Sequence, residues 1–164
     1  MEYMQKEVKI FMNTTQYEVE ASLFSMTDGV EIFEEQAEHG IEPDVSTIKT
    51  FGTLTEEEGR CEIAYDESEV TGMEGSRTAI SFELSHPDIV TLTREGNVST
   101  AFVFENGKRH HCVYNTPYMP FEVCIKTISV NNDFLETGCI DLDYVVEIRG
   151  ARAERTKISL SVSL

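Results

Sequence analysis

Residues 65–78 read YDESEVTGMEGSRT and set carboxylates at Asp66, Glu67, Glu69 and Glu74 around Gly72 and Gly75. Acids at this density can hold a hard cation, share a proton for acid–base work, or solvate a turn. A calcium loop needs oxygen ligands at alternating positions closed by a glutamate, and the run lacks that spacing. Read as the end of a strand, it separates its own acids, because successive side chains point to opposite faces. Glu67 continues the apolar face of Cys61, Ile63 and Tyr65, Asp66 points the other way, and Glu69 and Glu74 fall in a loop. One acid on an apolar face remains.

The other residues with chemical reach are scattered. His110 and His111 are adjacent, so in a strand they face opposite sides and cannot share a metal. His39 and His86 fall in expected loops, and a metal site needs three or four convergent ligands, so no metal is expected. Cys61, Cys112, Cys124 and Cys139 show no CxxC pair or zinc-type spacing, and a thiol inside a strand behaves as a small hydrophobe. Ser85, His86 and Asp88 crowd one turn, whereas a nucleophilic triad is assembled from distant segments. No GxGxxG, P-loop or GxSxG run occurs, so no cofactor is expected. With no nucleophile and base to pair, catalysis ranks behind binding, and Glu67 is the single acid worth testing.

The elements that must position Glu67 are strands. From Gly59 onward apolar and polar residues alternate with period two, in RCEIAYDE, SRTAISFEL, DIVTLTRE, NVSTAFVFE, KRHHCVYNT, MPFEVCIKTISV, CIDLDYVVEIR and TKISLSVSL. The segments between them are short enough for hairpins. Asn106-Gly107 has the composition of a type I′ turn, whose two central residues need φ > 0. Before Gly59, VKIFMN and STIKTFGTL read as strands, YEVEASLFS as a strand or an amphipathic piece, and VEIFEEQAEHG as a short helix ended by Gly40. Ten antiparallel strands in an open sheet leave two edges exposed, and closure into a barrel removes them.

Parity also finds polar groups on faces it assigns to the interior. Glu67 follows Tyr65; Arg94 follows Val90 and Leu92; Thr116 follows Cys112 and Tyr114. Thr127 follows Phe121, Val123 and Ile125, and Tyr144 sits among Ile140, Leu142 and Val146. The polar member tends to come near the strand end. Two readings fit. The barrel holds a small, partly apolar ligand with Glu67, Arg94, Tyr114, Thr116, Thr127 and Tyr144 at the polar end of its lumen, Arg94 taking an acidic head. Alternatively side chains fill the barrel and Glu67 and Arg94 form an internal ion pair, leaving a structural or interaction module, for which a homodimer through an open edge or the acidic N-terminal segment is one form. Both bring Glu67 and Arg94 together.

At 164 residues the chain is the size of one domain. Its 30 acidic and 13 basic side chains leave −17, and residues 1–75 hold 19 acids against 4 bases. That field repels phosphate backbones and anionic membranes, so neither nucleic acid nor membrane is an expected partner. The N-terminus lacks the zones of a signal peptide and no apolar run reaches membrane-helix length, which points to a cytoplasmic protein with reduced thiols.

The run IAYDESEVTGMEGSRT, with VTLTREGNVSTAFVFENGKRH and YNTPYMPFEVCIKT, resembles a bacterial family of uncharacterised β-barrel proteins, the YwiB-like family, itself similar to the calycin group of lipocalins and fatty-acid-binding proteins. The resemblance runs from about Thr47 to the C-terminus. It rests on Tyr65, Glu67, Thr71-Gly72, Gly75 and Thr78, on Arg94 and Gly96, on Phe104, Gly107 and Lys108, and on Tyr114, Thr116, Pro117 and Tyr118. The chain departs from the family pattern at Met119, where a glycine is expected, and in a longer acidic segment before Thr47. Length and alternation lead to the expectation of a single all-β domain over 1–164, an antiparallel barrel of about 8–10 strands with a helical or irregular acidic insertion at about 14–45, and what the resemblance implies is that this barrel is calycin-like. It implies no activity, since calycins share a shape across many functions.

Overall fold

The computed structural model describes residues 3–19, 43–67, 75–96, 99–148 and 152–164. Ten strands close into one antiparallel barrel: β1 (Tyr3–Val19), β2 (Asp44–Glu57), β3 (Arg60–Asp66), β4 (Arg77–Glu83), β5 (His86–Glu95), β6 (Ser99–Glu105), β7 (Arg109–Asn115), β8 (Pro120–Asp133), β9 (Cys139–Ile148) and β10 (Arg152–Ser163). Each strand pairs with its neighbour in sequence, and β1 closes the sheet against β10, so neither edge is left open. This is the all-β barrel that the alternation and the turn spacing implied, in the calycin-like form that the resemblance implied. The closed order leaves no terminal edge strand among the described residues of the kind an open-edge association would use. No helix among the described residues is long and apolar enough to cross a membrane.

The N-terminal strands outrun their apolar alternation. β1 pairs with β2 from Tyr3 to Gln16 and with β10 from Lys9 to Val19, so ladder bonds on both sides hold polar residues that carry no strand pattern of their own. Residues 14–19 and 44–45, expected in the acidic insertion, therefore belong to strands. The helix expected at VEIFEEQAEHG lies outside the described residues. One short helix, α1 (Phe134–Thr137), joins β8 to β9 instead.

Turn chemistry shapes the wall. The two-residue hairpin with φ > 0 at both centres is Glu58-Gly59 (φ 53° and 77°), between β2 and β3. At Asn106-Gly107 the expected type I′ turn is absent: only Gly107 has positive φ (75°), and Lys108 N–H bonds Glu105 C=O at 2.9 Å, the signature of a type II turn. Such a turn twists against the flanking strands and splays them. Accordingly β6 and β7 pair only at Ser99↔Asn115 and Thr100↔Tyr114, and Thr127 of β8 closes the gap. Its carbonyl accepts Gly107 N–H (3.1 Å), its N–H reaches Lys108 C=O (3.0 Å), and its hydroxyl accepts Glu105 N–H (3.2 Å).

The inward faces form one apolar core, including Val8, Ile10, Ile63, Ile80, Phe82, Val90, Phe104, Ile125, Ile140, Leu142 and Leu160. Gly52 permits close approach here. A Cβ on it would collide with Ala64 C=O and lie 2.5 Å from Ile10 Cδ1, so the wall admits no side chain beside Tyr65. A second cluster, Val145 and Ala153 with Tyr17 and Ile128, stands on outward positions of β9, β10, β1 and β8. Beside it Arg155, 1% exposed, grips Asp143 with two hydrogen bonds of 2.9 and 2.7 Å.

Candidate functional site

Five side chains in cross-strand register form a polar row across the inner face near one barrel end. Tyr65 of β3 lies opposite Thr78 of β4, Thr78 opposite Arg94 of β5, Arg94 opposite Thr100 of β6, and Thr100 opposite Tyr114 of β7. Directly opposed residues share a face, so alternation along each strand makes the row continuous around half the barrel. Glu67 follows β3 and joins the row from below, its N–H fixed by Ser76 C=O at 2.8 Å.

Glu67, Thr78 and Arg94 make one unit. The Thr78 hydroxyl donates to Glu67 Oε1 at 2.6 Å and accepts from Arg94 Nε at 3.2 Å, while Arg94 Nη2 stands 3.6 Å from the same Oε1. The Glu67 side chain is 2% exposed and that of Arg94 19%, so the pair is screened by protein more than by water. Two buried atoms beside it, Glu67 Oε2 and Thr100 Oγ1, have no hydrogen-bond partner among the described residues. A buried acceptor left open is costly, and such atoms in native proteins call for an explanation.

Two phenols flank the unit. Burial pushes the Tyr65 phenol well up; the charge of Glu67 and a hydrogen bond with its carboxylate add to this, while Arg94 and a hydrogen bond with Thr78 oppose it. Its hydroxyl is aimed at Met12 Sδ, 3.8 Å away. Tyr144 of β9 is raised chiefly by burial, against a Thr156 hydrogen bond and the charge of Arg94. Its ring packs on Phe104 at 4.5 Å between centroids. Both phenols therefore stay protonated at neutral pH and can donate.

Of the six residues singled out by sequence, the structure brings Glu67 and Arg94 into contact and sets Tyr144 within the field of Arg94. Tyr114 sits at the end of the row, half-buried, its ring stacked on Phe102 at 6.5 Å. Thr127 is fully buried, but its hydroxyl serves the β6–β8 gap. Thr116 leaves the lumen altogether: its hydroxyl donates to Met119 C=O (2.8 Å) and accepts Tyr118 and Met119 N–H (3.3 and 3.2 Å), tying the β7–β8 turn. Its parity fails because the strand has ended. Met119 keeps a negative φ, so that turn needs no glycine. Thr78 and Thr100 were missed, although each shares parity with buried aromatics, Phe82 for the first and Phe102 and Phe104 for the second.

A surface cleft of about 350 Å³ lies apart from this row, lined by His111, Glu122, Val123, Cys124 and Glu147. His111 and His110 diverge as expected, towards Glu122 (3.9 Å) and Glu105 (3.5 Å) respectively. Among the described residues no three His, Cys, Asp or Glu side chains are grouped to hold a metal ion.

No curated protein matches the sequence. The fold is similar to the crystal structure of ywiB protein from Bacillus subtilis, with a TM-score of 0.65 over 98% of this chain and 94% of that one, at 13% identity. At that identity the likeness speaks for the barrel alone. A family model described as Domain of unknown function (DUF1934) matches residues 30–160, the polar row included, and the chain belongs to that family.

Proposed function

We propose that the barrel binds a small, partly apolar ligand whose polar end rests on Glu67, Thr78, Arg94 and Thr100. The observation that carries this reading is the pair of buried, unpartnered atoms, Glu67 Oε2 and Thr100 Oγ1, on either side of Arg94 in the polar row that borders the apolar core. A filled core has no use for them: replacing Thr100 by the isosteric valine would satisfy packing without the orphan hydroxyl. The four cysteines are free, which suits a cytoplasmic protein. Native mass spectrometry of the protein as purified, with thermal shifts against medium-chain amphiphiles, tests the reading. Retained mass or a raised Tm is expected, together with a lower ligand response in Thr100→Val. No bound mass, no shift, and a Thr100→Val variant more stable than the parent would establish a solid barrel.

A second reading, a homodimer, is favoured by one outer face. From Lys9 to Thr15 of β1, and across to Val45–Phe51 of β2 and Lys157–Ser163 of β10, the twelve outward residues include no acid. They include Lys9, Lys49 and Lys157 with Phe11 and Phe51, the latter 62% exposed. In a chain of net charge −17 this face lets two copies meet without opposing carboxylates.

A further inference from the structure

We infer that the head of the barrel's ligand is neutral and amide-like, an N–H donor beside a carbonyl acceptor, and not a carboxylate. This rests on the ligand-binding reading and sharpens it. Arg94 alone would select an anion, but its charge is already met by Glu67 at 3.6 Å and bridged to it through Thr78. A carboxylate head approaching Arg94 would also approach Glu67, and what it gains from one it loses to the other. An ammonium head meets the mirror problem, since the open Glu67 oxygen attracts it and the guanidinium repels it. A neutral head meets neither.

Hydrogen-bond types point the same way. Glu67 Oε2 has no hydrogen-bond partner among the described residues beyond the interaction of the Tyr65 phenol with the same carboxylate, so an N–H or O–H on the ligand would complete its shell. Across the row stand a guanidinium with five N–H groups, of which Nε serves Thr78 and Nη2 faces Glu67, and the Thr100 hydroxyl, which has no partner and can donate or accept. The guanidinium calls for an acceptor on the ligand, and the Thr100 hydroxyl can donate to the same one. One amide edge meets both needs, its N–H on Glu67 Oε2 and its C=O on Arg94 and Thr100, while an attached alkyl or aryl group faces Phe102 and Phe104. The acidic head first expected from Arg94 alone is replaced by this neutral one.

The test compares three amphiphiles with one tail: octanamide, octanoate and octylammonium, by thermal shift and titration calorimetry on the full chain. Octanamide is expected to bind about tenfold tighter than either ion, the ratio that follows from one charge-assisted hydrogen bond made or lost. In Glu67→Gln the ranking should turn towards octanoate, because the guanidinium is then uncompensated. The comparison on the unaltered protein stands even where that variant fails to fold. Octanoate or octylammonium binding as tightly as octanamide would overturn the neutral head and leave ligand binding intact. No binding by any of the three would remove the ligand-binding reading and this inference with it.

Discussion

At the scale of residues, the decisive fact is that Glu67 and Arg94 are paired where water is scarce. Removing one partner of a buried pair leaves an uncompensated charge, at a cost of about 3 kcal/mol or more, whereas removing both can be nearly neutral. Arg94→Met should therefore destabilise the barrel by about 3 kcal/mol in urea denaturation, and Arg94→Met with Glu67→Gln by clearly less. An additive double variant would mean that the pair contributes as two separate side chains. Burial sets a second expectation. Cys61 is pushed up to about 12 by burial first and by Glu56 second, and Tyr65 and Tyr144 are raised as well. Each folded value exceeds the unfolded one, so this stabilisation is complete below 9.0 for the thiol and 10.0 for the phenols and fades as pH climbs towards the folded values. Urea midpoints should hold steady up to about pH 9 and then fall. A midpoint unchanged at pH 11 would contradict the burial of these groups. Parity alone was enough to find Glu67 and Arg94, because an acid and a base on apolar faces stand out. Thr78 and Thr100 escaped notice because threonine is common on both faces of a strand.

At the scale of elements, the β6–β7 hairpin shows a turn overruling its composition. Asn-Gly favours φ > 0 at both positions, yet Asn106 keeps a negative φ because Thr127 of β8 captures the far side of the turn with three hydrogen bonds. Amides of β7 between Arg109 and Val113 that face β6 should exchange with deuterium faster than those facing β8, where the ladder is unbroken from Arg109↔Lys126 to Asn115↔Pro120. Thr127→Val should lower stability by about 1 kcal/mol through the lost Glu105 N–H bond. Equal protection on both sides of β7 would mean that the two strands pair fully in solution. The outer Asp143–Arg155 pair was invisible from sequence for a related reason. Arg155 occupies an outward position of β10, where an arginine reads as solvated, and only the packing around Val145 and Ala153 buries it. Asp143→Ala should cost about 3 kcal/mol, measured by the same denaturation.

At the scale of the whole molecule, closure and charge decide what can approach. The acid-free face spans three strands and four outward rows, a footprint of roughly 300 Å² from strand spacing and rise. That is well under the roughly 800 Å² per partner of a stable interface, so any dimer should be weak. Sedimentation is expected to show monomer at micromolar and association at near-millimolar concentration, abolished by Phe51→Glu with monomer stability unchanged within about 0.5 kcal/mol. A monomer throughout that range would sink the homodimer.

The sequence by itself determined the strand class, the approximate strand count, the apolar faces and the meeting of Glu67 with Arg94. These follow from the period of two along a strand and the short links between strands, both local properties that survive without coordinates. Only the tertiary structure decided the rest. Closure extended β1 to Val19, because ladder partners on β10 as far as Val19, and on β2 as far as Gln16, outweigh the polar composition of residues 14–19. Cross-strand register assembled Tyr65, Thr78, Arg94, Thr100 and Tyr114 from five segments into one row, and no single strand encodes its neighbour's register. The end of β7 at Asn115 left Thr116 in a turn, and the short β6–β7 pairing turned the Thr127 hydroxyl to the wall. The fold also left one oxygen of Glu67 open beside a guanidinium already paired, an arrangement that requires two charges placed in space rather than in sequence.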